Sequence, residues 1–172
     1  MFEFLTVVVT CQAMPYVDIL FGNESEAKAF GEKMGYPVRL SRRRQMFVLS
    51  SSALLLQDTS PEAVALEIAK LPKENKNRPR IVVITHGAEP TIVVENFNVT
   101  KYPVPRVPPE EIVDANGAGD AFVGGFLAEI IRGRSIADAV RAGHYAARVI
   151  LGVSGTVIPA HPPKPREEWP TA

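Results

Sequence analysis

The chain has 172 residues, 46% of them apolar and 22% charged, enough for one ordinary domain with a buried core. Nineteen basic residues balance nineteen acidic ones, so there is no overall positive field to hold a polyanion, and neither nucleic acid nor a membrane surface is expected as a partner. The single cysteine, Cys11, cannot close an internal disulfide, and three scattered histidines offer no zinc-type spacing; the chain reads as reduced and intracellular, with the cytoplasm as its expected location.

The apolar start from Phe2 to Val9 is short, carries Glu3 and lacks a basic flank, which argues against a signal peptide or a spanning helix and for a buried strand or a poorly specified end. Val17 to Phe21 reads as a buried strand closed by Gly22 and Asn23, and Ala27, Phe30 and Met34 then recur at helical spacing up to a stop at Gly35. From Tyr36 to Gln57 neither period holds. Arg42, Arg43 and Arg44 in that stretch read as a solvated loop, with a nuclear-targeting run, and hence a nuclear pool, or a nucleic-acid contact as the alternative. Ser60-Pro61-Glu62 is a cap followed by a first-turn proline, opening a helix that Val64, Leu66, Ile68 and Leu71 carry towards Pro72. The β-branched run Ile81 to Ile84 is of the kind buried on both faces of a parallel sheet, and Thr85-His86-Gly87 ends it. Thr91 to Glu95 and Asn98 to Val104 predict a hairpin around Asn96, placed at a sheet edge by Pro103 and Pro105. Two helices follow: Ala118 to Arg132, and a second capped by Ser135 with Asp138 three residues on, ending at Gly152. Pro159 to Ala172 is a proline-rich, charged tail. Strands alternating with helices predict an α/β layered sheet with flanking helices.

One segment carries chemistry. Asp114-Ala115-Asn116-Gly117-Ala118-Gly119-Asp120 sets small residues where an apolar helix begins, so unpaired backbone N–H groups should converge on a single point and could hold a terminal phosphate. Asp120, in the first turn, would lie beside that phosphate and could take a proton from a substrate hydroxyl. A Walker loop is excluded, because Gly-Asp-Ala stands where Gly-Lys-Ser/Thr is needed, and the dinucleotide fingerprint fits poorly with Phe122 at its third glycine. A plain capped helix remains the alternative. Gly124-Gly125 lowers helix propensity by about 1 kcal/mol per glycine relative to alanine, which close packing or a nearby ligand would explain.

The run from Asp114 to Phe126 resembles the C-terminal signature of the PfkB (ribokinase-like) carbohydrate kinases, with Ala115 where threonine is usual. Met14 to Ala27 and Ala142 to Ala147 narrow the resemblance to the adenosine kinases of that family. The resemblance implies ATP and Mg²⁺ as cofactors and adenosine as acceptor, with Asp120 as the catalytic base on the ribose 5′-hydroxyl. It implies that the amides of Gly117, Ala118 and Gly119 form an anion hole. Asn23 and Glu26 match an Asn-x-x-Glu motif that organises magnesium through water, while Thr85, His86, Gly87 and His144 match positions around the nucleotide. Each has a plainer alternative: Asn23 and Glu26 as a helix cap, His86 as a turn residue, His144 as a packed helix residue.

The same resemblance implies a partial ribokinase-like (Rossmann-like) fold whose N-terminal half and lid are missing. Residues 1–158 would be the C-terminal half of a kinase domain, interrupted by an insertion at 36–57, and 159–172 a tail. Residues 1–13 and 36–57 match nothing in the family pattern and read as translated intron sequence, which spliced transcripts carrying both would refute. A sheet lacking half its strands exposes an apolar edge, through which pairing with another chain is expected. The function so implied is transfer of the ATP γ-phosphoryl group to adenosine; the alternatives are a noncatalytic nucleotide-binding fragment and another sugar kinase of the family.

Overall fold

The computed structural model describes residues 12–34 and 60–160. The expected strand at the chain start, the insertion with its arginine cluster, and all but the first two residues of the proline-rich tail lie outside the described residues. Two compact units form. One holds the described residues up to His86 together with Ile92–Lys101; the other holds Gly87–Thr91 and the described residues from Tyr102 onward.

A four-stranded sheet in the order β1 (Ile19–Asn23), β2 (Ile81–His86), β3 (Glu89–Glu95) and β4 (Asn98–Tyr102) gives all its residues but Glu89–Thr91 and Tyr102 to the first unit. β1 and β2 run parallel, Ile19 opposite Ile81 and Asn23 opposite Thr85. The remaining connections are tight turns, which only antiparallel neighbours allow, so the sheet is mixed. Asn96 and Phe97 both adopt positive φ in the turn between β3 and β4, the backbone a two-residue hairpin demands. Among the described residues β4 stands at the edge of the sheet, where its flanking prolines suit it.

α1 (Glu24–Met34) and α2 (Pro61–Lys70) cover one face of this sheet. Their apolar positions, among them Ala27, Phe30, Val64 and Ile68, join Val82, Ile84, Ile92 and Val94 in a single core. Val83 and Val93, pointing the other way along their strands, are also buried, so the centre of the sheet is covered on both faces. α2 starts as the sequence requires, with the Ser60 hydroxyl accepting from the Ala63 amide and Pro61 in the first turn. It ends at Lys70, just short of the expected stop at Pro72.

The second unit is dominated by α3 (Ala118–Ile131) and α4 (Ile136–Leu151), joined by a short turn and therefore antiparallel. Ser135 caps α4 by accepting from the Asp138 amide, and its own hydroxyl donates to the Asp138 carboxylate. The helices approach very closely at Gly125, where a Cβ would stand 2.5 Å from the Ala142 carbonyl oxygen, and at Gly143, where it would stand 2.8 Å from the Phe122 ring. Phe122 and Phe126 are buried on α3, and Phe122 packs against α4 at Gly143 and His144. No helix among the described residues is long and apolar enough to cross a membrane.

Candidate active site

The mouth of α3 is shaped by backbone geometry. Gly117, the residue before the helix, sits in the left-handed region at φ 78°, and a Cβ there would stand 2.6 Å from Thr156 Cγ2, so glycine is required for both conformation and space. The Gly117 carbonyl accepts the Ala121 amide at 2.9 Å, and the Ala118 amide is turned back to Ala115 O at 3.3 Å. The amides of Gly119 and Asp120 have no partner among the described residues. Both residues are exposed, and nothing lies within 4 Å of where a Gly119 Cβ would be. Two first-turn N–H groups at the positive end of a fourteen-residue helix are thus unspent beside an exposed carboxylate, Asp120.

Asp114 anchors the approach to this mouth. One carboxylate oxygen accepts the Asn116 amide at 2.9 Å and the other accepts the Gly155 amide at 3.1 Å. These backbone hydrogen bonds, from Asn116 first and Gly155 second, hold its carboxyl below the usual aspartate range. The Val113 and Asp114 amides both donate to Leu151 O. The sequence reading included Asp114 in the motif without giving it a role, because Gly155 is forty-one positions away and no local pattern announces the pairing.

Asn23, Glu26, Thr85 and His86 come together in the first unit, at the carboxyl ends of the parallel strands, where ligands of open α/β sheets bind. Asn23 and Glu26 form a reciprocal capping box: the Glu26 amide donates to Asn23 Oδ1 at 2.8 Å, and the Asn23 amide donates to Glu26 Oε2 at 2.9 Å. Thr85 Oγ1 donates to Gly22 O at 3.4 Å. His86 is half-buried at the end of β2, and Gly87 follows in the turn, exposed and at φ 55°. Among the described residues no group of three or more His, Cys, Asp or Glu side chains is placed to hold a metal ion. A single exposed carboxylate with an amide side chain beside it suits magnesium only as an outer-sphere partner, the ion keeping its waters and its phosphate ligands.

His144 lies inside the second unit, 9% exposed, with Nε2 2.9 Å from Thr91 Oγ1 and its ring centroid 5.5 Å from that of Phe122. Burial pushes its imidazole down to about pKa 4, so it is neutral at physiological pH. This geometry fits the packed-helix alternative.

The model of the pfkB family of carbohydrate kinases matches residues 6–163. The chain belongs to that family. Among the family's curated members, adenosine kinase 1 of Arabidopsis thaliana is 39% identical over 151 residues, covering 88% of this chain and 38% of its own. Among solved structures, an adenosine kinase from Schistosoma mansoni in complex with 2-fluoroadenosine superposes with a TM-score of 0.74 at 35% identity, over 92% of this chain and 41% of that one. A ribokinase from Thermotoga maritima, 21% identical with a TM-score of 0.62 over 85% of this chain and 39% of its own, shares the fold. The α/β architecture is therefore a part of the ribokinase-like pfkB fold, and the chain spans about two fifths of the length of these relatives.

Proposed function

We propose that this pfkB chain handles the nucleotide in an adenosine kinase, where the ATP γ-phosphoryl group passes to the 5′-hydroxyl of adenosine to give AMP and ADP. The observation that carries the reading is the mouth of α3: two unspent amides beside an exposed carboxylate, within the stretch that resembles the family signature. Its relatives' names support adenosine as the acceptor.

In this mechanism the amides of the Gly117–Asp120 turn receive the oxygens of the transferred phosphoryl group, chiefly those of Gly119 and Asp120, since the Ala118 amide is already drawn to Ala115 O. The Asp120 carboxylate accepts the 5′-hydroxyl proton as that oxygen bonds to the γ-phosphorus. The bond from phosphorus to the β-bridging oxygen breaks, and ADP leaves with the electron pair. Asn23 and Glu26 would hold Mg²⁺ through water, and the ion would supply charge neutralisation to the nucleotide. Thr85, His86 and Gly87 line the nucleotide site, while His144 packs in the interior against Thr91 and Phe122 and takes no part in the transfer.

A coupled assay for AMP tests this. Wild-type chain should turn over, and Asp120→Ala should lower turnover by about 10²–10⁴-fold, the usual worth of a positioned base. Folded wild-type chain that forms no AMP counts against the reading. A second reading is that the chain binds nucleotide without catalysing transfer, and its support is that the chain spans about two fifths of the relatives' length. Calorimetry separates the two, because under the second reading the chain binds ATP without adenosine. Faster turnover on another sugar or nucleoside in a substrate panel would point instead to a different kinase of the family.

A further inference from the structure

We propose that Asp114 is a positioning residue: its carboxylate ties the loop that opens α3 to the loop that follows α4, and so fixes the direction in which the unspent amides of Gly119 and Asp120 point. The inference rests on the reading of the α3 mouth as a phosphate site.

Three observations converge on it. The two oxygens of one carboxylate accept from two different loops, the Asn116 amide at 2.9 Å and the Gly155 amide at 3.1 Å. The next contact along is steric: Thr156, directly after Gly155, presses its methyl carbon against the face of Gly117, where a Cβ would be 2.6 Å away. The backbone completes the seam, with the Val113 and Asp114 amides both donating to Leu151 O at 2.8 and 3.3 Å. The residues on either side of the mouth are therefore fixed from outside the helix, by the segment at the far end of α4. The α3 mouth has no side-chain cap of its own. The first turn needs such an external anchor, since the Ala118 amide has only a long bond to Ala115 O and the amides of Gly119 and Asp120 have none among the described residues. A carboxylate suits this task better than a neutral side chain, because it can accept at both oxygens, and charged acceptors make the stronger hydrogen bonds.

The test uses the full chain and two readouts, backbone hydrogen exchange without ligand and ATP affinity by calorimetry. Asp114→Asn keeps one acceptor and presents an amino group to the other N–H, so one arm of the tie is lost. Gly155→Ala attacks the other loop, at a φ of 73° that alanine adopts poorly, and serves if Asp114→Asn does not fold. In both, exchange at Ala118 and Ala121 should quicken by about tenfold while the middle of α3 keeps its protection, and the ATP dissociation constant should rise by about tenfold. Glu111→Gln, which removes the ion pair to Arg148 between neighbouring segments, should move neither readout. Unchanged exchange at Ala118 and Ala121 overturns the proposal, as does loss of protection spread evenly over α3 and α4, or local loosening without a change in ATP affinity. Local loosening in a chain whose wild type binds no ATP upholds the tie and rejects the phosphate reading on which its purpose rests.

Discussion

Arg80 takes a full positive charge to 3% exposure and spends its side-chain N–H groups on backbone oxygens. Nε donates to Val17 O, one terminal nitrogen to Ile68 O and Leu71 O at 2.9 Å each, and the other to Met14 O and Pro72 O. The acceptors at Ile68 and Leu71 lie at the C-terminus of α2, where the dipole is negative and Ile68 O also accepts the Leu71 amide at 3.2 Å. One planar five-donor fork thus closes the end of α2 and fastens it to the segment entering β1. Lysine has the charge without the fork. Arg80→Lys should therefore lose about 3 kcal/mol of stability, the scale of breaking a buried charged network, in urea unfolding followed by circular dichroism; a loss under about 1 kcal/mol would show that the fork is not what holds this corner. None of this was legible in the sequence, where Arg80 closes a polar, proline-punctuated stretch, since its partners lie up to sixty-six residues away.

At the scale of the element, adjacent glycines in α3 have opposite reasons to be there. A Cβ on Gly124 would meet nothing within 4 Å, whereas one on Gly125 would lie 2.5 Å from the Ala142 carbonyl oxygen and 3.0 Å from the Ala146 methyl. Gly124→Ala should stabilise the chain by about 0.5–1 kcal/mol through helix propensity alone. Gly125→Ala should destabilise it by roughly 1–3 kcal/mol, because a backbone carbonyl cannot swing aside and the helices must part. Thermal unfolding of the two variants side by side checks the pair, and equal effects would mean that the helix contact is softer than it looks. The sequence signalled that something close lay against this face but not which glycine met it, since helical phase fixes a face only to within about a residue. Element boundaries were more legible. Caps at Ser60 and Ser135 act through short-range chemistry that the local sequence contains, and both begin helices where expected, whereas the Asn23 cap was only the plainer alternative to a magnesium reading.

For the molecule as a whole, stability should depend on pH through one buried ring. The mouth of α3 could be read from its glycines, and a packed place for His144 was one of two sequence readings, but its hydrogen bond to Thr91 could not be read, since it joins positions fifty-three residues apart. Buried beside Phe122, with no carboxylate among the contacts described for it, the imidazole titrates at about 4 in the folded chain against 6.5 when unfolded. Between those values the unfolded chain binds the extra proton and the folded chain does not, so stability rises with pH across the window and is lost as pH falls through it. The full difference corresponds to about 3 kcal/mol, of which about 2 kcal/mol is gone by pH 5. The carboxyls of Asp18, Asp114 and Asp138, each held below the ordinary aspartate range, add losses of the same sign only further into acid. Urea unfolding at pH 7.5 and pH 5 should therefore show this drop in the wild type, and a much smaller one in His144→Gln, whose amide can still bond Thr91 but does not titrate. If the variant does not fold, an NMR titration of the wild-type imidazole gives the same answer, because a ring that protonates near 6.5 in the folded chain would leave no differential proton binding to drive the loss.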